Sequence, residues 1–570
     1  MLFIVASVVL FTCLLAGWGG LCVRCLHFAT DNPWLYPFLG MFAAGTLFAA
    51  VSMFLPLNAV ALAVFVLIGL TGLPLWGRML HAGQLGHSRA ACGMFWAFMF
   101  SCVLVLAALY ARTEWPGWAY DTDLYHANVV RWINEYGTPP GLANLHTRFG
   151  KNSTWLSLSA LFDNGYWDNR IAWIMPSLLY TCTIAYLSYI VLFRLGNIVR
   201  LFCGAMLLFV IGVSITSSYP SLYYDLPALF INIAVFAECL AQAEKGWEVT
   251  PGQASLIICL AALSFAMKPL TGISLFFAAA VILYGVKKNS GLSVARACGV
   301  FAPAVAAGVV WVARNALLSG YPLFPLPLWP LPLEWTIPKG TAVATYAGVI
   351  GWARMPGLGY EQFLHTWDWI VPWLERHLES AAFWCAAGLP LLASIPLWIK
   401  SLCRNEYKAP SFFGAWAALC LLYWFITAPS LRFGAVFFQI FFALGLAFAL
   451  SQTPRIASWE AHCAHLLRNR RSCCLTSAVL LLTAIAVSAG VLLAAKSKRD
   501  VLYVGSIPSR ELSSRVFDAS VSPQILLFFP AGDDDRCGNS PLPCAPSDNP
   551  RLKLRVPGNL GGGFYIQEKQ

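Results

Sequence analysis

Charge is what this sequence has least of. Only 11% of its 570 residues are Asp, Glu, Lys or Arg, where a soluble chain carries about a quarter. That excludes an ordinary water-soluble fold. Several chemical signatures are missing as well. There is no phosphate-cradling glycine loop, no serine nucleophile elbow and no set of CxxC pairs able to enclose a zinc ion. Nothing points to an ATPase, and no long internal repeat is visible. No basic segment precedes the first apolar run, so the N-terminus reads as a first spanning helix rather than a cleaved secretory signal.

What fills the chain is apolar: 59% of residues are hydrophobic and the mean hydropathy is +0.66. Runs of spanning length recur. They lie near 3–22, 36–56, 58–77, 93–110, 171–193, 199–216, 220–241, 251–267, 269–286, 293–316, 381–399, 411–427, 432–450 and 475–495. The pair around Lys268 and Pro269 reads either as two short helices or as one broken helix. Backbone polar groups in lipid must be paired within their own segment, so these runs are expected to be helical. The expected fold is an all-α polytopic membrane protein with about 14 transmembrane helices over 1–495. A small, partly β extracytoplasmic tail domain follows over 496–570.

The net charge is +11. In a membrane protein this reads as basic residues kept in cytoplasmic loops, not as nucleic-acid binding. Placing 111–170 outside puts Arg78, Arg89, Arg194, Arg200, Lys287, Lys288 and Arg296 inside. Lys400, Arg404, Lys408, Arg455, Arg468, Arg470 and Arg471 follow them. The short loops near 57, 217–220 and 428–431 hold almost none. The expected location is a bacterial inner membrane, with the functional face and the C-terminus periplasmic.

Most of the 18 cysteines lie in apolar runs or inner loops, where a thiol behaves as a small hydrophobe. Cys537 and Cys544 sit in the turn-rich tail "DDDRCGNSPLPCAPSDNP". On the oxidising side they are expected to form a disulfide, the alternative being two free thiols.

Three polar regions are expected outside. In 111–170, the stretch 123–136 shows an apolar face of Val129, Val130, Trp132, Ile133 and Tyr136, which predicts a short helix lying at the headgroup level. A second short amphipathic piece follows at 154–163. The loop 317–380 is proline-rich in its first half and expected to be extended there. Its tryptophans suit a membrane-facing surface. The tail carries β-like runs at "VLYVG", "QILLFF" and "LKLRV".

Ionisable residues at membrane depth are costly and face cavities. The topology collects Asp121, Asp123 and His126, then His146, Arg148 and Lys151, then Asp225, Lys268, Arg314 and Arg432, on one side at similar depth. Carboxylates with basic groups beside a bilayer suit a lipid-linked phosphate substrate. The Lys and Arg would hold phosphate, and an Asp would take a proton or hold a divalent cation. Each residue also has a plainer reading. Asp121 and Asp225 can cap helices, and Arg314 and Arg432 can snorkel to headgroups. His126 and His146 can be hydrogen-bonded structural residues. The "NST" at 152–154 matches a glycosylation sequon of a kind common by chance.

The arrangement resembles the GT-C class of glycosyltransferases, which are polytopic and use polyprenyl-phosphate-linked sugars. In protein mannosyltransferases and aminoarabinose transferases an Asp-Glu pair in the first large outer loop is followed by His or Tyr. "DTDLYH" is similar in placement, with Thr122 where those enzymes carry Glu. The chain also resembles a family of large bacterial polytopic membrane proteins through "YDTDLYHANVVRWINEYGTPPGLANLHTRFGKNS", "RNALLSGYPLFP", "SLRFG" and "DDDRCGNSPLPCAP…LKLR". In that pattern the first aspartate of the motif is the steadier, which favours Asp121 over Asp123.

These resemblances imply transfer of a sugar from a polyprenyl-phosphate donor to a glycan, lipid or protein acceptor. Asp121 would be general base or ligand of a divalent metal, Mg or Mn, with Asp123 and Asp225 as further acidic candidates. Arg148, Lys268, Arg314 and Arg432 would contact donor phosphate, with His126 and His146 beside the substrate. The loop 317–380 would cover the site. The alternatives are a transporter or flippase of lipid-linked glycans and a non-catalytic partner in envelope polysaccharide assembly. A transporter calls for charges near the midplane and for related halves, and the sequence shows neither.

Overall fold

A computed structural model describes residues 1–85, 87–112, 119–194, 196–217, 219–290, 293–357, 363–403, 409–451, 453, 469–493, 507 and 510–567. Its helices are α1 (Leu2–Cys25), α2 (Tyr36–Val51), α3 (Ala59–Leu85), α4 (Arg89–Arg112), α5 (Ala127–Glu135), α6 (Thr154–Asp163), α7 (Ile171–Phe193), α8 (Asn197–Thr216) and α9 (Asp225–Glu244). They continue as α10 (Pro251–Met267), α11 (Gly272–Ser290), α12 (Val294–Ser319), α13 (Lys339–Arg354) and α14 (Ile370–Leu378). The last four are α15 (Ala381–Cys403), α16 (Ala409–Thr427), α17 (Leu431–Ser451) and α18 (Arg470–Leu493).

Among the described residues, thirteen helices are long and apolar enough to cross a bilayer. The chain is a multi-pass membrane protein. Each of the fourteen expected runs meets one helix. The exception in length is α10, whose 17 residues span about 25 Å, short of a hydrocarbon core of about 30 Å; α2 continues from a 3-10 turn at Pro33–Leu35, and the two together make 19 residues. Lys268 and Pro269 separate α10 from α11. Proline disfavours helical backbone in the residue before it, and Lys268 is extended at φ −151°, so the two-helix reading holds.

The bundle closes through small residues. Helix α1 packs on α2 and α3 at Gly17, Gly40 and Gly72. A Cβ on Gly72 would stand 1.9 Å from the Gly17 carbonyl oxygen, and one on Gly40 would stand 1.9 Å from that of Leu15. Such close backbone approach is how helices associate in lipid, where apolar burial between helices drives little. Helices α7 and α9 are the most enclosed, with 83% and 89% of their central windows buried. Helix α9 carries two buried carboxylates, Asp225 at its start and Glu238 13 residues further along.

One end of the bundle carries residues 119–170 and the tail. There the structure differs from the expected interfacial helix. Thr122–His126 forms a π-helical turn that runs into α5. Val130, Trp132 and Ile133 are buried inside protein, not at a lipid surface. Asn134 Nδ2 donates to the carbonyls of Leu57 (2.6 Å) and Ala160 (2.7 Å), and Trp132 meets Phe564 of the tail edge-on at 5.6 Å. The tail supplied the cover that local amphipathicity could not reveal. Helix α6 forms as expected and is buried along its whole length.

In the tail, β1 (Leu512–Asp518) pairs antiparallel with β2 (Ile525–Pro530), and β3 (Leu552–Leu554) with β4 (Phe564–Ile566). The runs "QILLFF" and "LKLRV" thus supply strands, and Cys537 is bonded to Cys544. The run at 501–505, and Arg404, Lys408, Arg455 and Arg468, lie outside the described residues. In the loop 317–380 the proline-rich half is irregular, followed by α13, which the sequence reading did not include. Trp329, Trp352 and Trp367 are exposed, whereas Trp369 and Trp373 are buried.

Candidate functional site

The site begins with three helix ends. Asp225 opens α9, where the helix dipole favours a carboxylate, and Lys268 closes α10, where it favours a cation. Arg432 is the second residue of α17, where the dipole opposes its charge. That local conflict is resolved by tertiary partners. Arg432 Nη2 lies 2.6 Å from Asp121 Oδ2, and its Nε lies 3.3 Å from Asp225 Oδ2. Lys268 Nζ bonds Asp225 Oδ1, and Arg148 Nη1 reaches Asp121 Oδ1 at 3.0 Å. The five residues form one alternating chain, Arg148–Asp121–Arg432–Asp225–Lys268.

The network is open to solvent at its arginines. The Arg432 and Arg148 side chains keep 46% and 34% of their surface, against 12% for Asp121 and 8% for Asp225. Aromatic faces surround it: the Arg432 guanidinium is 5.2 Å from the Tyr223 ring and Lys268 Nζ is 3.2 Å from the Phe433 ring. Burial alone would raise the Asp121 pKa, but Arg432, His126, Lys151 and Arg148 hold its carboxyl below the usual range. Burial pulls Lys268 down to about 8 despite Asp225. It pulls Lys151 down to about 7, helped by Arg148 and opposed by Asp121.

Three of the plainer readings do not hold. Asp121 makes no side-chain cap bond to the turn it precedes, and Arg432 meets carboxylates rather than snorkelling. Arg314 does not snorkel either: it is 2% exposed and donates to Thr138 Oγ1 at 3.3 Å and Asn152 Oδ1 at 2.5 Å. No carboxylate pairs with it among the described residues. Arg314 is not in the ion-pair chain. It lines, with Lys151, a void of about 10 Å³, room for one water molecule. Asn152 is buried and also donates to the Trp311 carbonyl, so the sequon is spent on structure.

Asp123 is the expected site residue that the structure takes elsewhere. Residues two apart on a helix do not share a face. While Asp121 turns to the helix ends, Asp123 is fully buried and bonds Arg510 of the tail. Its carbonyl accepts from Gly538 N at 2.7 Å. His126 stands behind Asp121 among the rings of Tyr125, Tyr223 and Tyr224. Burial drives its pKa to about 3 against the pull of Asp121 and Asp225, so it is a neutral imidazole. His146, packed on Phe149, is likewise pushed to about 3 by burial and then by Arg148 and Lys151. Lys151 is the residue that sequence reading named but gave no role. Its signal was the run "RFGKNS", two cations three residues apart beside a turn.

The donor set does not fit the metal expectation. Both Asp121 oxygens are taken by guanidinium groups, its nearest carboxylate partner shares Arg432, and cations outnumber carboxylates. Among the described residues no group of three His, Cys, Asp or Glu side chains comes together.

Residues 1–439 match the model of a family described as a domain of unknown function, DUF8201. The chain belongs to the DUF8201 family. No curated protein and no solved structure matches it. The DUF8201 match ends within α17, past Arg432. It therefore contains every member of the ion-pair chain, together with Lys151 and Arg314, and leaves out the tail that holds Asp123.

Proposed function

We propose that the protein is a membrane glycosyltransferase of the GT-C type. It would move a sugar from a polyprenyl-phosphate donor to a glycan, lipid or protein acceptor on the outer face of a bacterial inner membrane. The observation that carries this reading is the Arg148–Asp121–Arg432–Asp225–Lys268 chain at the helix ends. With Lys151 beside it, four cations face two carboxylates. The donor phosphodiester carries one negative charge and the polyprenyl phosphate that leaves carries up to two, so an excess of positive charge suits the phosphate as it departs.

The chemistry follows from competition for the guanidinium groups. A carboxylate clamped by two arginines is a weak base. A phosphate binds such forks as well as a carboxylate does, so an arriving donor draws Arg148 and Arg432 toward itself and loosens Asp121. Asp121 then accepts the proton of the acceptor hydroxyl. The acceptor oxygen bonds to the sugar C1, the C1–O bond to phosphate breaks, and Arg148, Arg432 and Lys268 receive the charge released on the phosphate. The loop 317–380 flanks the site: Phe324 and Ile337 pack on Ala143, and Trp369 and Trp373 pack beside Phe433. A lipid-extract comparison tests this reading. A deletion strain should accumulate a sugar-linked polyprenyl phosphate, cleared by the wild-type gene and not by Asp121→Asn. An unchanged lipid profile would sink it.

A further inference from the structure

At the other end of α9 lies a second polar site, unconnected with the first. Glu238 is 13 residues beyond Asp225, about 20 Å along the helix. It is 4% exposed. Its Oε1 accepts from Tyr186 Oη at 2.8 Å and from Arg194 Nη1 at 3.1 Å. Both bonds fall on one oxygen; Oε2 takes none among the described residues. Arg194 also pairs with Asp31, 3.2 Å away and largely exposed. One turn further along, Gln242 is 1% exposed, and its buried Oε1 has no hydrogen-bond donor among the described residues.

Glu238, Gln242, Arg194 and Asp31 line a cavity of about 480 Å³ between α1, α2, α3, α9 and α10, a volume typical of small-molecule sites. The charges at its wall are two carboxylates and one guanidinium, so the cavity is net negative. Its open hydrogen-bonding positions include two acceptors on α9, Glu238 Oε2 and the buried Gln242 Oε1. Leaving a buried acceptor without a donor costs about 1–3 kcal/mol, which a ligand with N–H donors would recover. Phe28, Met79, Leu256 and Ile257 make one part of the wall apolar, and Thr30, Tyr36 and Gln253 add neutral polar groups.

We infer that this cavity binds a primary ammonium group carried on an apolar body, with Glu238 and Gln242 as its acceptors and Asp31 at the mouth. An ammonium offers three donors and no acceptor, which matches the two open acceptors and the net negative charge of the wall. A trimethylated ammonium has the charge but no N–H, and a carboxylate has the wrong sign. Two sources share the chemistry: a free amphiphilic amine, and the amine headgroup of a phospholipid in the adjacent leaflet.

The test uses the full-length chain in lipid nanodiscs, with thermal unfolding followed by tryptophan fluorescence. In phosphatidylcholine discs, hexylamine should stabilise saturably, whereas hexyltrimethylammonium and hexanoate should not. Glu238→Gln keeps an acceptor for Tyr186 and leaves Arg194 paired with Asp31. It should weaken the hexylamine half-saturation by about tenfold or more, the loss of one charge-assisted hydrogen bond. Ala29→Trp narrows the cavity without touching a polar group and should abolish the response, which keeps the test decisive if Glu238→Gln folds poorly. A second arm compares discs of phosphatidylethanolamine, phosphatidylcholine and phosphatidylglycerol. Stabilisation by phosphatidylethanolamine alone, absent in Ala29→Trp, identifies a lipid headgroup; response to hexylamine alone identifies a free amine. No saturable response in either arm, equal responses to all three hexyl probes, or a wild-type response in Ala29→Trp would each overturn the inference.

Discussion

Arg432 and Asp121, 311 positions apart in sequence, meet at 2.6 Å at the mouth of the bundle. The same guanidinium reaches Asp225, so one residue from α17 ties the turn at 121–126 to the start of α9. Arg432→Lys should therefore be a poor replacement, because an ammonium cannot bridge two carboxylates as a planar fork does. Sugar transfer should fall by about tenfold or more in Arg432→Lys and further in Arg432→Ala. Initial rates with a labelled lipid-linked donor would check this.

Asp121 and Asp123 should separate cleanly. Asp121→Asn should lower transfer by about 100-fold or more, the usual worth of a positioned base, with the tail still docked. Asp123→Asn leaves Arg510 with only Asp534, 3.7 Å away, and should loosen the tail by about 1–3 kcal/mol. Limited proteolysis would read it as faster release of residues 510–567. The double variant Asp123→Asn with Arg510→Gln should recover part of that protection, because neither charge is then left unmatched.

Arg314 predicts opposite signs for stability and activity. A buried guanidinium with only a hydroxyl and an amide as partners is costly to hold, and an apolar side chain of similar length removes that cost. Arg314→Met should raise the melting temperature by a few degrees while lowering transfer, because Arg314 shares the small void with Lys151 and its loss lets that lysine shift. A variant that loses both stability and activity would show Arg314 to be purely structural.

Anion binding should depend on pH through the two lysines. A lysine carries its charge below its pKa and loses it above. With Lys151 near 7 and Lys268 near 8, affinity for a polyprenyl phosphate should weaken as pH rises through that window. Lys151→Arg stays charged throughout and should remove the lower step. Binding isotherms at pH 6 and 9 would decide it, and a flat wild-type profile would count against both lysines as phosphate contacts.

The sequence by itself determined the architecture because its signal is local. Apolar runs long enough to span are written residue by residue, and lipid admits little else for them to form. Basic clusters gave the expected orientation, and the spacing of Cys537 and Cys544 in a turn-rich tail gave the disulfide. Local pattern also placed Asp121, Asp225, Lys268 and Arg432 at the same end of the bundle.

Tertiary structure decided which of those charges touch. An arginine at a helix start reads as a snorkelling residue until two carboxylates from distant elements are seen on it. The two aspartates of "DTDLYH" read as a pair, yet a helical turn sends them to opposite sides, one to the helix ends and one to the tail. The apolar face of α5 reads as membrane-facing because its cover comes from Phe564, more than 400 residues away. The cavity at Glu238 and Gln242 left no motif at all, since its wall is assembled from five helices and the loops between them. Contacts of this range depend on how helices pack, and packing in lipid is set by close approach of small residues that no single window of sequence displays.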